Sequence, residues 1–491
     1  MATTQNIVKV NVPTMTLMAL HALIQLPDTL WQGVSAMKEL GRFYLPQEVA
    51  EQDADYLLRL NRTTLFPGFE RTIQQSVGKI FAQAITLGAN TAPIISLMAS
   101  DMDQQGRDIS AFAREVFSLA VRHGVSYILV DYPTASGNEE TFTLADERAL
   151  GLRPYALSIS LRQVLEIRSA IVKGVERCTM FRFKEVITEI IPDPYLFGTI
   201  NIEQVRIFRL NPDDETVTYE LWRENVDTRE WFLFQAPIIL PNVDAIPIVP
   251  VYTNRTSFFM GTPPLLSLAE LNLAHWRQTS DLNHILHFAS VPLYFGAGWD
   301  PSFDENGIIK PVVISPNSLL LQKDPGAKFE IVEHGGKAID TLMTHIKEIE
   351  DKMAVMGLEL TISKPGSQTA TQTAIETAEA NSILQDMAEQ LENALETVMK
   401  IMCAYLNVPE ESVDGIEVGA SFNIDLANSE TTDVANLFEG YKLGILSAGD
   451  IREELKRRMF LSKNYVVTND APVIPVLTHD VTAKETIAIR E

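Results

Sequence analysis

Three short stretches of this 491-residue chain gather side chains that could do chemistry. In Asp101-Met102-Asp103-Gln104-Gln105-Gly106, carboxylates at alternate positions and a glycine at the sixth begin as a calcium loop does, because a hard cation takes oxygen ligands around a tight turn. The twelfth position is Phe112, where that loop requires a bidentate glutamate, so the expectation is a solvated loop leading into a helix. His275, His284 and His287 place three of the eight histidines in one helical run. His284 and His287 share a helix face, but HExxH is missing and no carboxylate stands nearby as a third ligand, so they read as polar face residues. Ser76-Val77-Gly78-Lys79 has the Gly-Lys pair of a phosphate loop without the earlier glycine or the following hydroxyl residue, which argues against ATP hydrolysis. No GxGxxG follows a strand, and no GxSxG elbow occurs. Asn61-Arg62-Thr63 and Asn254-Arg255-Thr256 match glycosylation sequons by chance if the chain is not secreted. The expectation is a protein that is not an enzyme and holds no cofactor or metal; an enzyme built on the histidine-bearing helix is the competing reading.

Composition sets the outer bounds. At 491 residues the chain exceeds the size at which one core keeps growing, so several lobes are expected. Net charge is −24, from 64 acidic against 40 basic side chains, which excludes a protein that grips nucleic acid by neutralising phosphates but not one that lets it slide past. Cys178 and Cys403 stand far apart in apolar surroundings and read as buried thiols, which suits a reducing compartment. Thr14 to Leu26 is apolar but lacks a basic start beyond Lys9 and contains His21, so it does not read as a signal peptide. Ile80 to Ser100 is uncharged and long enough for a bilayer, yet Gln83, Gly88, Asn90 and Pro93 interrupt it; it reads as a helix running into a loop, and no membrane association is expected.

Periodicity then places the elements. Apolar residues at three- and four-residue spacing predict helices over Trp31–Phe43, Pro46–Leu60, Pro67–Leu87 and Asp103–His123, the last ended by Gly124. Val125–Val130 is a short apolar strand. After a polar loop and a short helix around Asp146, β-branched and aromatic runs predict strands at Val186–Ile191, Gln204–Leu210, Thr216–Arg223, Glu230–Ala236 and Ile246–Tyr252. Pro263-Pro264 opens a helix closed by Pro292, with a narrow apolar stripe and a second half rich in Arg277, Gln278, Ser280, Asp281, Asn283 and His284. A small β insert follows, with strands at Leu293–Phe295, Val312–Ile314, Ser318–Leu321 and Lys328–Val332. Helix returns over Lys337–Met356, breaks at Gly357, and passes through Ser363-Lys364-Pro365-Gly366-Ser367-Gln368. Ala420–Leu426 reads as strand and Thr432–Leu443 with Ala448–Met459 as a helical pair; the final thirty residues show no clear period.

The run from Gln372 to Leu406 reads as one uninterrupted helix, ~50 Å long at 1.5 Å per residue and roughly three times the globular average. Glu376, Glu379, Asp386, Glu389, Glu392 and Glu396 stand against the single cation Lys400, beside apolar Ile383, Leu384, Met387, Leu391, Leu395, Val398 and Met402. Two readings fit: an amphipathic helix with a solvated acidic face, or a helix packed within a ring of identical subunits.

Taken in order, these pieces resemble the portal proteins of tailed bacteriophages, the head-to-tail connector family. The residues that carry the likeness are Ile246-Pro247-Ile248-Val249-Pro250 feeding Pro264-Leu265-Leu266-Ser267-Leu268-Ala269-Glu270-Leu271-Asn272-Leu273-Ala274-His275, then Thr279-Ser280-Asp281 and Val291-Pro292-Leu293-Tyr294-Phe295-Gly296. The sequence of helix, β insert, helix, polar loop and long helix completes it. The resemblance implies an α+β portal fold: a wing over 1–262 (helical, then β-rich), a first stem helix over 263–290, a clip over 291–336, a second stem helix over 337–357, a tunnel loop over 358–371, a long wing helix with its return strand over 372–430, and a crown with tail over 431–491. It implies a homo-oligomeric ring, expected to be dodecameric, at one capsid vertex of the virion, assembled in the host cytoplasm. Double-stranded DNA would pass through it during packaging and ejection. The implied partners are the terminase large subunit, the major capsid protein, neck adaptor or tail proteins and a scaffolding protein. On that reading Ser363, Lys364, Gly366, Ser367, Gln368 and Thr369 face DNA in the channel and touch its backbone without reading bases. The alternative is another oligomeric head or neck protein without a DNA channel.

Overall fold

The computed structural model describes residues 9–133, 152–190, 197–290, 293–297, 326, 328–332, 336–358 and 370–418, with single positions between 447 and 455. The chain divides into two units, Met1–Val418 and Gly419–Glu491. The expected elements at Asp146, Val312–Ile314, Ser318–Leu321, Ala420–Leu426 and Thr432–Leu443 lie outside the described residues, as does most of Ala448–Met459. The first unit mixes helices with antiparallel sheets, an α+β arrangement.

The N-terminal lobe is helical: α1 (Met15–Gln32), α2 (Val34–Glu39), α3 (Gly41–Tyr44), α4 (Asp53–Arg62), α5 (Gly68–Ile80), then β1 (Thr86–Leu87), α6 (Pro93–Ser100) and α7 (Ile109–His123). The helix expected over Trp31–Phe43 is divided among the end of α1, α2 and α3, with Gly33 and Leu40 between them, and three others differ where a polar or long-range bond outbids local propensity. The helix expected to reach Leu87 stops at Ile80, since Thr86 and Leu87 pair with Glu417 and Ile416 and the Gly88 N–H bonds to the Gly415 carbonyl at 3.1 Å. The helix expected from Asp103 starts six residues later. The Asp103 Oδ1 accepts from the N–H groups of Gln105 (2.9 Å) and Arg107 (3.3 Å), which holds a turn, and Asp108 then caps α7 through the Ala111 N–H. The helix expected from Pro46 begins at Asp53, because the Pro46 carbonyl and the Glu51 carboxylate are both engaged by Arg59. Among the described residues no helix is long and apolar enough to cross a membrane.

The β-rich part follows: β2 (Val125–Asp131), β3 (Tyr155–Ser160), β4 (Val164–Val172), β5 (Val175–Ile190), β6 (Thr199–Leu210), β7 (Val217–Glu224), β8 (Trp231–Ile239) and β9 (Ile248–Tyr252). It forms two antiparallel sheets, β3-β2-β9 and β4-β5-β6-β7-β8. Sequence reading found β6 to β9 but neither β3, nor β4, nor the first half of β5. Their alternation is blurred by Glu166, Arg168, Glu176, Arg177 and Arg182; the surer signal was the two-residue turn Lys173-Gly174, whose positive φ angles of 49° and 83° are those of a hairpin. The two sheets share a core of Tyr127, Phe181, Phe183, Phe208, Tyr219 and Phe259 with Leu17 and Ile24 of α1. The Tyr127 hydroxyl donates to the Phe259 carbonyl at 2.7 Å, so the most deeply placed phenol is satisfied and its ring serves purely as packing.

The short hairpin β10 (Arg255–Ser257) and β11 (Met260–Gly261) leads into α8 (Leu266–Ala289). This helix starts two residues after Pro264 rather than at it. A two-stranded antiparallel sheet, β12 (Leu293–Ala297) and β13 (Lys328–Val332), pairs Leu293 with Val332 and Ala297 with Lys328. Then come α9 (Lys337–Leu358), α10 (Ala370–Tyr405) and β14 (Ile416–Glu417), the partner of β1. Gly357, expected as a break, lies inside the last turn of α9; a Cβ there would stand 2.6 Å from the Thr72 Oγ1 of α5, so the glycine serves close helix approach.

Gly124 is the pivot between α7 and β2. Its φ of +85° suits only glycine cheaply, and a Cβ would stand 2.1 Å from the Thr262 carbonyl oxygen. Its own carbonyl accepts from the N–H groups of Thr253 (3.0 Å) and Asn254 (3.1 Å), which ties α7, β9 and the approach to α8 at one residue. Gly124→Ala is expected to destabilise the fold by about 3 kcal/mol or more, from left-handed strain plus a backbone clash; denaturant unfolding of the variant checks this.

Candidate functional site

The region that carries the sequence likeness is built around α8, whose polar residues reach neighbouring elements even though Arg277, Asp281 and His287 are exposed. Asn272 is 1% exposed. Its Oδ1 accepts from the Phe69 N–H at 2.9 Å and its Nδ2 donates to the Phe66 carbonyl at 3.0 Å. One amide thereby satisfies an orphan donor in the first turn of α5 and the carbonyl preceding it. Farther along, the Arg277 Nε donates to the Tyr44 carbonyl at 2.6 Å and the Asn283 Nδ2 to the Arg62 carbonyl at 3.2 Å. Arg59 of α4 makes a bidentate pair with Glu51 (2.7 and 2.8 Å), with both side chains under a tenth exposed, and its Nη1 lies 3.5 Å from the Ser280 Oγ. The polar face of α8 therefore reads as a row of hooks for the ends of α3, α4 and α5.

His275 is the link to α9. Its Nε2 lies 3.1 Å from the Glu350 Oε1, its Nδ1 3.4 Å from the Thr279 Oγ1, and its ring packs on Phe66. Apolar contact comes from Ile346, Ile349 and Met353 of α9, all buried. The three histidines of α8 thus do not act together: His275 is buried and braces two helices, whereas His287 is exposed. No group of three or more His, Cys, Asp or Glu among the described residues could hold a metal.

The 36-residue α10 is ~54 Å long at 1.5 Å per residue. Leu384, Met387, Leu391, Leu395, Val398 and Met402 are buried as the spacing required, together with Ala388, Ala394, Met399 and Cys403, so the seam is wider than the leucine and methionine positions alone; Ile383 is exposed. The seam lies against β9 and β2. On the acidic side Asp386 and Glu389 are exposed. Glu392 is half-buried and accepts from the Val418 N–H at 2.6 Å; burial raises its carboxyl, and the charges of Glu389, Glu417 and Glu396 add to the rise, against that hydrogen bond. At its C-terminal end Tyr405 stacks on Tyr132, next to the buried Arg206, which joins Asp131 of β2 (2.5 Å) and Glu185 of β5 (3.2 Å).

The calcium-like loop is a self-contained clamp. The Asp101 carboxylate meets the Gly106 N–H at 2.8 Å and Arg153 at 2.6 Å; Asp103 meets Arg107 at 2.5 Å as well as two backbone N–H groups. Burial alone would raise Asp103, but Arg107 and those N–H groups outweigh it and hold the carboxyl below its usual range. A second constellation escaped sequence reading because its members lie far apart in the chain. The Asp28 Oδ1 lies 2.7 Å from the His123 Nε2, and the His123 Nδ1 lies 3.5 Å from the Ser160 Oγ. The serine oxygen already accepts from the Arg162 N–H at 3.2 Å as a helix cap, His123 is 1% exposed, and Asp28 is shared with Arg162 at 2.8 Å. The group joins α1 to α7 and β3. Both cysteines are buried and free; burial pushes the Cys178 thiol up to about 12.

The six residues expected to face DNA, Ser363, Lys364, Gly366, Ser367, Gln368 and Thr369, lie in the segment 359–369 between α9 and α10, outside the described residues. Asn272, Glu350, Arg59 and Glu51 were not singled out by sequence reading. Asn272 had a visible signal, an amide amid Leu268, Leu271 and Trp276 on a buried stripe.

Comparison with known proteins finds a family model, a domain of unknown function (DUF4055), matching residues 264–406, less than half of the chain. No curated protein matches. Among solved structures, a chain from the neck of a native GTA particle computed with C12 symmetry is similar at 11% identity over 79% of this chain and 89% of that one, with a TM-score of 0.38, too low to establish a shared fold. The family match begins at the proline before α8 and ends one residue past α10.

Two predictions follow from the geometry. Asn272→Ala leaves the Phe69 N–H and Phe66 carbonyl unpaired in a buried place and is expected to cost about 2–4 kcal/mol in denaturant unfolding. The Asp28 carboxyl is raised by burial but lowered more by His123 and Arg162, so its folded value lies below the ordinary aspartate value. Its contribution is therefore complete above pH ~4 and is lost as pH falls from there through the lower folded value. Thermal melts from pH 7 down to 2.5 are expected to show a shallower acid loss for Asp28→Asn than for the unaltered protein, from a lower starting stability.

Proposed function

We propose that this protein is a portal-type structural component of a phage-like particle: copies form a ring through which double-stranded DNA passes during packaging and ejection. The observation that carries the reading is the order α8, β12–β13 pair, α9, polar segment, α10. Two packed helices lead to and from a β module, and a helix of ~54 Å follows. On this reading α8 and α9 are the stem, residues 291–336 the clip where a terminase docks, 359–369 the tunnel loop, and α10 the helix that spans the wing.

Charge supports the same reading. Several lysines and arginines against phosphates would fix DNA in place, with a steep salt dependence. A conduit needs the opposite, and a net charge of −24 supplies it. Lys364 is the single cation of the proposed tunnel loop; it would touch passing phosphates one at a time. The major capsid protein and a neck adaptor are the other partners of the proposed vertex. A head or neck component without a channel shares the coarser reading and differs in having no DNA path.

Deleting Lys364 to Thr369 is expected to leave assembly intact while packaged DNA per particle falls at least tenfold in a packaging assay. Wild-type packaging by the deletion would remove the tunnel-loop assignment. Strictly monomeric protein across concentrations and salts, by analytical ultracentrifugation, would remove the ring.

A further inference from the structure

Among the described residues the five-stranded sheet ends at β4 and β8 with no further strand paired to either, and the β8 edge is unusually apolar. β8 has nine residues, Trp231 to Ile239, none charged. Phe232, Leu233 and Phe234 are 45%, 43% and 50% exposed in succession, and Ile238 and Ile239 are exposed as well. Consecutive exposed side chains point to both faces of the sheet, so no single covering layer could bury them all; what they share is the strand edge. Among the described residues β8 is bonded to β7 alone. Proteins blunt such edges with charges, or with prolines along the strand, because a free apolar edge templates association. Here Pro237 is the one such residue; two breaks in register with β7 fall opposite β8, between Tyr219 and Leu221 and between Leu221 and Trp222, and Arg223 of β7 lies 3.5 Å over the Phe234 ring, so Phe232 and Leu233 are the stretch left without such a device.

At the far side of the same sheet lies β4, also nine residues long. The N-terminal segment bonds to its start, the Thr14 N–H to the Leu165 carbonyl at 2.9 Å, but residues 168–171 are exposed and Ile171 is 78% so. Among the described residues the sheet therefore carries two edges, β8 along its nine residues and β4 over residues 168–171.

We infer that β8 of one copy pairs edge to edge with β4 of the next, so that the sheets of neighbouring copies continue into one another. The inference rests on the ring-forming reading and names the surfaces that would make it. A contact between unlike edges repeats from copy to copy and can close into a ring, whereas β8 against β8 of a second copy would stop at two. With aromatic side chains of ~150–250 Å² each, the exposed apolar surface on β8 is on the order of 500 Å², a large share of the ~800 Å² that each partner gives to a stable interface.

Crosslinking of the full-length protein tests this. Ile171→Cys and Phe232→Cys variants are made separately and treated with a short bismaleimide, alone and mixed after dissociation and reassembly; the unaltered protein, whose two cysteines are buried, is the control. A dimer-sized band that appears in the mixture and is absent from either variant alone is the expected result. A band with Phe232→Cys alone overturns the proposal in favour of a two-fold contact. No band in the mixture, when electron microscopy of the same sample shows rings, overturns the edge pairing and leaves the ring reading standing. A band with only open chains in the microscope upholds the pairing and removes the ring. Leu233→Lys with Phe234→Lys is expected to raise the midpoint concentration of assembly at least tenfold with unchanged circular dichroism and melting of the subunit; unchanged assembly would count against the proposal.

Discussion

The structure hangs on the hydrogen bonds that polar residues of α8 make to backbone groups of the N-terminal lobe. An amphipathic helix ordinarily turns its polar side to water, and the cost of burying amides and guanidinium groups is recovered only if each finds a partner. Asn272, Arg277 and Asn283 find theirs in backbone groups at the ends of α5, α3 and α4, and Arg59 finds Glu51. Backbone groups at helix termini are the least satisfied in any fold, so the helix and the lobe each complete the other. Packing by leucines alone would have tolerated a slide along the helix axis. Hydrogen bonds at four successive turns do not, and they fix the register between the N-terminal lobe and the α8–α9 pair.

The same logic sets α10 in place by other means. Its apolar seam rests on β9 and β2, and the short β1–β14 pairing ties the chain just beyond its end to the segment after α5. At Tyr405 the helix meets the Arg206 cluster, where burial pushes the phenol up and the neighbouring Asp131 charge adds to the rise. A helix this long has little intrinsic reason to keep one orientation. Contacts with β2, β9 and α5, elements from both halves of the lobe, supply the reason. On the proposed ring-forming reading, stiffness of this kind would help the wing hold its shape around the channel.

Much of this was legible in residue order, and the misses share a cause. The boundaries of α8, α9 and α10 came within a few residues because 3.6-residue periodicity is a local signal. Gly124 announced the end of α7 for the same reason. What apolar periodicity could not show were the polar and backbone bonds that end or delay a helix: the distant 86–87 with 416–417 pairing that cuts α5 short, and the short-range Asp103 turn that delays α7 and Arg59–Glu51 pair that keeps residues 46–52 from joining α4. The polar half of α8 was read as a limit on burial; Arg277 is exposed and Asn283 half-buried, yet both bond to carbonyls contributed from more than two hundred residues away. Of the candidate chemistry, the Asp101–Gly106 loop is self-satisfied through backbone N–H groups and arginines, and the histidines of α8 separate into a brace and an exposed position. The proposed DNA-facing residues 363–369 remain a reading of sequence.

The central claim is that copies of this chain enclose a path for DNA. Electron cryomicroscopy of the purified full-length protein, viewed down the particle axis, tests it most directly. The account predicts closed rings of about twelve copies with a central opening wide enough for a DNA duplex and with the α8–α9 pair lining it. Closed particles without an opening, or rings in which that helical pair faces outward, would contradict it.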